Sequence, residues 1–579
     1  MVHLQKVRQL GSWWQPQRKF IQSKKYIRMG QNSFTIETGL FLNKDVRVTH
    51  SNSNQSRSES DIAINPLNPD NIIGASKKFY DPAKYRFYLG VYYSFDAGEH
   101  WQESTLPIQP NWQGMTDPSI TFDPTGVAFL LTEPIIYQDE SQTAEMIGQG
   151  LYLYISKDGG KTWGTPTPIS NNIHDDKQWI TSDQKAGSPF YGRIYCAWGV
   201  SDACGFSYSL NGGKSWSGAG GATGYSHIEN FSAYAPSIIT DSAGWVHIFN
   251  MQPYSDVIYY VCSKDGGFSF EPSKKIVIGI KGFGSFPKVD GWSTFPNGKF
   301  RISSMVTSAC ANGQTLIVAW PDTRENNLTR IYYRISYDGG ETWQGNISGT
   351  PLISDGSIFG DSHCFMPQLA ATETGKIGCA FYIFGKERIN HQQVKYRINV
   401  YLAASFNNGS DFPYRIKITD SGWDPNVNAP FAHGNPNLYF IGDYFGLDAA
   451  SNNGDFFTVL WTDTTSGVQE ICYSQIDTLR ITSHLPFNVP LNVVHRKGTI
   501  TIIKDDIVIG GLDDGPIYIL GKGGVIPVGP ATPFAKIIES IGLFENANFL
   551  SKDLKIKTEE LALRELKKAI SNVRNIPLG

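Results

Sequence analysis

One eight-residue pattern recurs six times in this chain and constrains its fold more than any other feature. Ser94-Phe-Asp-Ala-Gly-Glu-His-Trp101 returns as Ser156-Lys-Asp-Gly-Gly-Lys-Thr-Trp163, Ser209-Leu-Asn-Gly-Gly-Lys-Ser-Trp216, Ser263-Lys-Asp-Gly-Gly-Phe-Ser-Phe270 and Ser336-Tyr-Asp-Gly-Gly-Glu-Thr-Trp343, with a decayed copy at Ser405-Phe-Asn-Asn-Gly-Ser-Asp-Phe412. Each copy has the logic of a hairpin. Asp or Asn folds its side chain onto the backbone of its own turn, Gly supplies a positive φ, and the closing Trp or Phe returns to a buried slot. The usual ratio of roughly 150 residues per domain would divide such a length into about four domains. A recurring unit instead gathers most of the 579 residues into one array.

A second repeat marks where each unit begins. Ser60-Asp-Ile-Ala-Ile, Asp117-Pro-Ser-Ile-Thr, Gln178-Trp-Ile-Thr, Pro236-Ser-Ile-Ile-Thr, Ile302-Ser-Ser-Met-Val, Pro367-Gln-Leu-Ala-Ala and Tyr444-Phe-Gly-Leu-Asp are each followed by a turn and an apolar strand, which makes seven starts. Intervals of about 60 to 75 residues suit one four-stranded sheet each, with insertions at 136–149 and 384–395. The composition agrees: 58 Gly, 31 Pro, 13% aromatic and only 18% charged residues exclude a coiled coil and a mainly disordered chain. The expected fold is all-β, a seven-bladed β-propeller of four-stranded antiparallel blades over residues 44–480. The last unit has no copy of the turn after Glu470-Ile-Cys-Tyr-Ser474, so its outer strand is expected from upstream, at Asp45-Val-Arg-Val-Thr49. That arrangement would leave no open sheet edge in the ring.

The turn pattern is the Asp-box, S-x-D-x-G-x-x-W, and the chain resembles the sialidase-like (BNR) β-propellers. In that family the box joins the third and fourth strands of a blade, on the side away from the functional face. The resemblance therefore implies fold far more than activity. Sialidases hold the substrate carboxylate with three arginines and use a tyrosine nucleophile activated by a glutamate, with an aspartate as acid/base. Their first arginine comes in an R-I-P motif; the matching stretch here reads Ser58-Glu-Ser-Asp-Ile-Ala, with Arg57 one position early and no proline. Seven blades also depart from the six of the sialidases.

Functional groups of a propeller gather where the innermost strands begin, because chain segments converge there on one funnel. The candidate ligand-binding residues at these starts are Arg57, Glu59, Lys177, Tyr234, His363 and Asp443, joined by Arg324 and by the loop tryptophans Trp112 and Trp292. Arg301 is a further candidate for an arginine cluster. Flat aromatics beside carboxylates suit a sugar, whose C–H face stacks while its hydroxyls bond the acids. If the chain is an enzyme, Asp117 and Asp176, which begin adjacent units, are the acid/base candidates and Tyr444 the nucleophile. For each acid the competing reading is a turn cap on a neighbouring backbone N–H.

The expected function is recognition of a glycan or protein partner at the funnel, without sialidase activity. The alternative is a glycoside hydrolase, exo-sialidase-like or acting on neutral polysaccharide through strand-start carboxylates. The resemblance implies a surface or extracellular setting, and Asn54, Asn230, Asn327, Asn346 and Asn408 stand in N-x-S/T sequons. No apolar run resembles a secretory signal near the N-terminus or a membrane span elsewhere.

A net charge of −3 gives no chain-wide field for nucleic acid. Residues 1–43 form a basic arm whose first acidic residue is Glu37. Residues 481–530 read as a short β segment, and 531–579 as a helical tail with an apolar stripe of Leu563, Leu566, Ile570 and Val573, a candidate self-assembly contact. Seven cysteines without a CxxC pair suggest no zinc site, leaving a Cys196–Cys204 hairpin bridge as the one candidate disulfide. The pairs Asp175-Asp176 and Asp513-Asp514 lack the ladder of a calcium loop, so neither a metal nor a cofactor is expected.

Overall fold

The computed structural model describes residues 23–29, 32–49, 55–201, 203–252, 255–355, 359–388, 394–450 and 455–483, and strand segments between 492 and 528. The helical tail, Asn54, the Asp513-Asp514 pair and the first 22 residues lie outside the described residues.

Alternating apolar stretches punctuated by turns fold into seven antiparallel sheets, six of them ordered from the centre outward along the chain. Blade 1 comprises Arg57–Ile64, Ile72–Asp81, Arg86–Ser94 and Gln102–Ser104. Blade 2 comprises Gly114–Phe122, Ala128–Tyr137, Tyr152–Ser156 and Thr167–Pro168, and Met146–Gly148 also pairs with its second strand. Blades 3, 4, 5 and 6 open with Asp175–Ser182, Ser237–Thr240, Thr307–Ala311 and His363–Ala371. Blade 7 runs Gly446–Ala449, Phe456–Asp463 and Glu470–Ser483, and its outer strand is Asn32–Arg47 from upstream. Each inner strand contacts those of the neighbouring blades, and the blade 7 inner strand contacts that of blade 1, so the ring closes. The fold is a seven-bladed, four-stranded propeller in which the described residues contain no α-helix.

Two readings move. Blade 5 begins at Thr307, five residues after the apolar Ile302 start. Its outer neighbours explain the shift, because Arg301 and Ile302 are held by backbone bonds to Tyr439 and Ser293 instead of a ladder. All seven cysteines are free thiols, and Cys196 and Cys204 face Ser207 and Gly199 across their hairpin, not each other. The stretch 1–43 contains a strand, Ser23–Met29, paired antiparallel with Asn32–Thr38. A separate unit holds a five-stranded antiparallel meander, Asn492–Arg496 to Gly524–Val528.

The repeated turns all close the same way. In every copy the serine hydroxyl donates to the Asp or Asn two residues on and accepts the backbone N–H of the glycine four residues on, as in Ser336 with Asp338 (2.7 Å) and Gly340 (2.9 Å). That glycine does more than turn the chain. Gly340 has φ +88°, and a Cβ there would run into Tyr260 of the preceding blade, just as one at Gly98 would meet Tyr473 of blade 7. The turn of one blade thus seats against the blade before it. The closing aromatic fills the same seam: Trp101 packs with Tyr473 and Leu460, and Trp163 with Leu89 and Val91. Gly340→Ala is expected to cost about 2–5 kcal/mol, combining left-handed strain of about 1–2 with overpacking of about 1–3. Ser336→Ala, which removes hydrogen bonds without a clash, should cost about 1–2 kcal/mol. Denaturant midpoints of the two variants check that order.

Candidate functional site

At the centre of the ring the inner strands are not regular. In blades 1, 2, 3 and 6 the ladder slips by a residue between Ser58 and Ser60, Thr116 and Ser119, Asp176 and Trp179, and Phe365 and Gln368. The slip coincides each time with a non-glycine residue at positive φ: Glu59 (57°), Asp117 (50°), Lys177 (53°) and Met366 (49°). A bulge re-aims a side chain, and left-handed strain at a non-glycine residue is kept only where the surroundings hold it. Here three of the bulged residues are charged and converge.

The Lys177 ammonium lies 3.2 Å from Glu59, 3.0 Å from Asp117 and 3.2 Å from Asp443. Lys77, opposite Ser58 on the second strand of blade 1, pairs with Glu59 and lies 3.4 Å from Asp117. Arg301 grips Asp443 with a two-pronged fork, Nε to Oδ1 at 3.1 Å and Nη2 to Oδ2 at 2.5 Å. The third guanidinium nitrogen reaches His433 Nε2 at 2.6 Å, and the ring of His433 stacks on Trp292. All six charged groups are buried. Against the opposing cost of burial, Lys177 and Lys77 hold the Asp117 carboxyl well below its ordinary range, and Arg301 followed by Lys177 does the same for Asp443. Burial raises Glu59, and the same two lysines only partly offset it.

Beside this cluster opens a cavity of about 440 Å³, bordered by Asp117, Glu133, Asp176, Tyr234, Trp292 and Ile173 among others. Burial and then the neighbouring charges of Asp176 and Asp117 push Glu133 well above the usual carboxylate range. Burial, with Asp117 next to it, brings Asp176 up to about 6. Burial takes the Tyr234 phenol to about 12, so it stays a donor. Carboxylate oxygens of Asp117, Glu133 and Asp176 lie within 4.8 Å of one another.

Of the residues singled out in the sequence, Glu59, Asp117, Asp176, Lys177, Tyr234, Trp292 and Asp443 meet at this centre, and Tyr444 lies beneath it, 5.4 Å by ring centroid from the Lys177 ammonium and edge-on to Trp179. Burial keeps the Tyr444 phenol well above its ordinary range, and its hydroxyl contacts the Pro118 carbonyl. Four others are placed elsewhere. Arg57 turns outward to Glu103 on the fourth strand of blade 1 and to the Tyr92 ring. Arg324 pairs with Asp322 over the Tyr332 ring in blade 5. His363 is sandwiched against Phe295, where burial, then Arg330, lowers it to about 4. Trp112 is buried at the seam of blades 1 and 2, edge-on to Tyr152. Of the three arginines considered, only Arg301 borders the cavity.

Lys77, Glu133, Tyr85 and His433 were not legible as site residues. Glu133 carries a recognisable signal all the same, as the one charge in the second strand Ala128–Tyr137, and both Lys77 and Glu133 sit across from the residue preceding a bulge.

His433 gives a pH prediction. Burial, then Arg301, lowers it from 6.5 to about 3, so below pH 6.5 the unfolded chain takes a proton that the folded chain refuses. Stability present above pH 6.5 is lost as pH falls toward 3, with a slope approaching about 1.4 kcal/mol per unit. In denaturant titrations at pH 7, 6 and 5, His433→Asn should show a shallower decline than the wild type by about that slope.

No protein-family model and no curated protein matches the chain. Among solved structures it is similar to a protein of unknown function from Dyadobacter fermentans DSM 18053, at 13% identity and TM-score 0.42 over 76% of this chain and 99% of that one. It is also similar to the Hadza microbial sialidase Hz136, at 13% identity and TM-score 0.37 over 74% and 68%. A third is the Trypanosoma rangeli sialidase in complex with the inhibitor DANA, at 11% identity and TM-score 0.35 over 88% and 90%. By its seven four-stranded sheets the chain has a seven-bladed β-propeller fold, and no activity follows from that fold alone.

Proposed function

We propose that the central cavity binds a carbohydrate carrying no carboxylate, and that the chain is not a sialidase. The observation that carries this reading is the internal neutralisation of the cations. Lys77, Lys177 and Arg301 are each paired with Glu59, Asp117 or Asp443, so none is left to grip a substrate carboxylate. What faces the cavity instead is Tyr234, Asp176 and Glu133 for hydroxyls, and Trp292 with Ile173 for a sugar's C–H face.

A hydrolase reading draws on one observation, the closeness of Asp117, Glu133 and Asp176. Oxygens within 4.8 Å stand nearer the retaining spacing than the inverting one, about 5–5.5 against 6.5–9.5 Å. A glycan array and fluorogenic glycosides, run on one preparation, test both. The expected result is binding of neutral glycans, weakened at least about tenfold by Trp292→Ala, with no release from a sialoside. Turnover of a neutral glycoside that Asp176→Asn abolishes would replace binding with hydrolysis, and sialoside turnover would overturn the proposal.

A further inference from the structure

We infer that Asp117, Glu133 and Asp176 form a site for one hard divalent cation of the size of Ca²⁺. They come from two strands of blade 2 and the first strand of blade 3, and their carboxylate oxygens approach within 4.8 Å of one another. Oxygens that share a Ca²⁺ at about 2.3–2.6 Å stand at up to about twice that distance apart, so the three fit around one ion. Three carboxylate donors select a hard cation over a soft one.

Close acids are common without an ion, and a separate fact points to a ligand here. Glu133 is 93% buried, its residue accessibility being only 7%, borders the cavity, and has no hydrogen-bond or ion-pair partner among the described residues. The backbone makes room for it: a Cβ at Gly148 would collide with the Glu133 carboxylate. Among the described residues its surroundings offer no counter-charge that is not already paired. The cations Lys77, Lys177 and Arg301 are taken up by Glu59, Asp117 and Asp443, and Asp175 accepts from the Trp198 indole at 2.7 Å. Glu133 and Asp176 therefore have no cation of their own among the described residues, and a divalent cation would balance the pair when both are ionised. Water and ligand oxygens from the cavity complete its shell. The linear sequence hides this set, because its donors are brought together by the ladder and the bulge at Asp117 and not by loop spacing.

The inference goes beyond carbohydrate binding and stands or falls without a sugar. Full-length chain is stripped with a chelator, then titrated calorimetrically with CaCl₂ and with MgCl₂, and its melting is followed in parallel. One saturable Ca²⁺ site is expected, with melting raised by Ca²⁺. Glu133→Gln should weaken Ca²⁺ at least about tenfold, and without metal it should melt no lower than the wild type, because the buried carboxyl it replaces has no hydrogen-bond or ion-pair partner among the described residues to lose. The surface trio Asp96, Glu99 and His100, of which Asp96 is half-buried, serves as the control, and Asp96→Asn should leave the affinity unchanged. No saturable heat at millimolar Ca²⁺, or binding that survives Glu133→Gln, or binding that Asp96→Asn abolishes, would overturn the site. In each of those cases the carbohydrate proposal remains, since its own assay needs no metal.

Discussion

Lys177→Met is expected to destabilise the folded chain by about 3–5 kcal/mol, the range for breaking a buried charge pair from one side. The substitution keeps most of the side-chain volume and removes the one ammonium that touches Glu59, Asp117 and Asp443 together. Those three carboxylates would then share Lys77 and Arg301 alone. Two comparisons give the number its meaning. Lys78, next in sequence to Lys77, pairs with Glu103 at 2.6 Å but stands in solvent, and Lys78→Met should cost less than about 1 kcal/mol. Adding Glu59→Gln to Lys177→Met should recover part of the loss, since one stranded charge is removed. Denaturant unfolding of the four chains measures it. A loss for Lys177→Met no greater than for Lys78→Met would mean that the central cluster is hydrated and not buried.

The second large effect concerns closure of the ring. A chain lacking residues 1–49 should lose several kcal/mol and self-associate. The upstream strand supplies the outer member of blade 7, with Val48 donating to the Ile471 carbonyl at 3.0 Å, and Arg47 pairing with Glu470. Val48 also lies in the core shared by blades 7 and 1, beside Ile72, Leu460 and Tyr473. Burying one such side chain is worth about 1.5–3 kcal/mol. Without the strand, Glu470–Ile476 becomes an open edge, which pairs readily with another chain. Sedimentation and denaturant midpoints report both consequences. An unchanged midpoint in a monomeric truncated chain would show that blade 7 closes without its upstream strand.

What could be read in the sequence follows the range over which each interaction acts. The turns were legible because Ser336, Asp338 and Gly340 satisfy one another within five residues, and the strands because apolar residues recur between those turns. The second role of Gly340, as the point where one blade seats on Tyr260 of another, depends on a contact 80 residues away. Glu59, Asp117 and Lys177 are legible because they stand at strand starts; that they meet depends on left-handed bulges with no local sequence signature. Lys77 and Glu133 escaped because their role comes from cross-strand register. Trp112 shows the opposite error. A tryptophan in a loop suggests an exposed platform, yet Leu89, Leu106 and Met115 bury it.

If the cavity's cations are spent inside the protein, its carbohydrate ligand is uncharged. The most direct measurement is calorimetric binding, to chelator-treated chain, of two matched oligosaccharides that differ only in a terminal hydroxymethyl or carboxylate group. Tighter binding of the neutral member by at least about tenfold is predicted. Preference for the carboxylate would contradict the account, because it would require Arg301, Lys77 or Lys177 to leave the partners that now neutralise them.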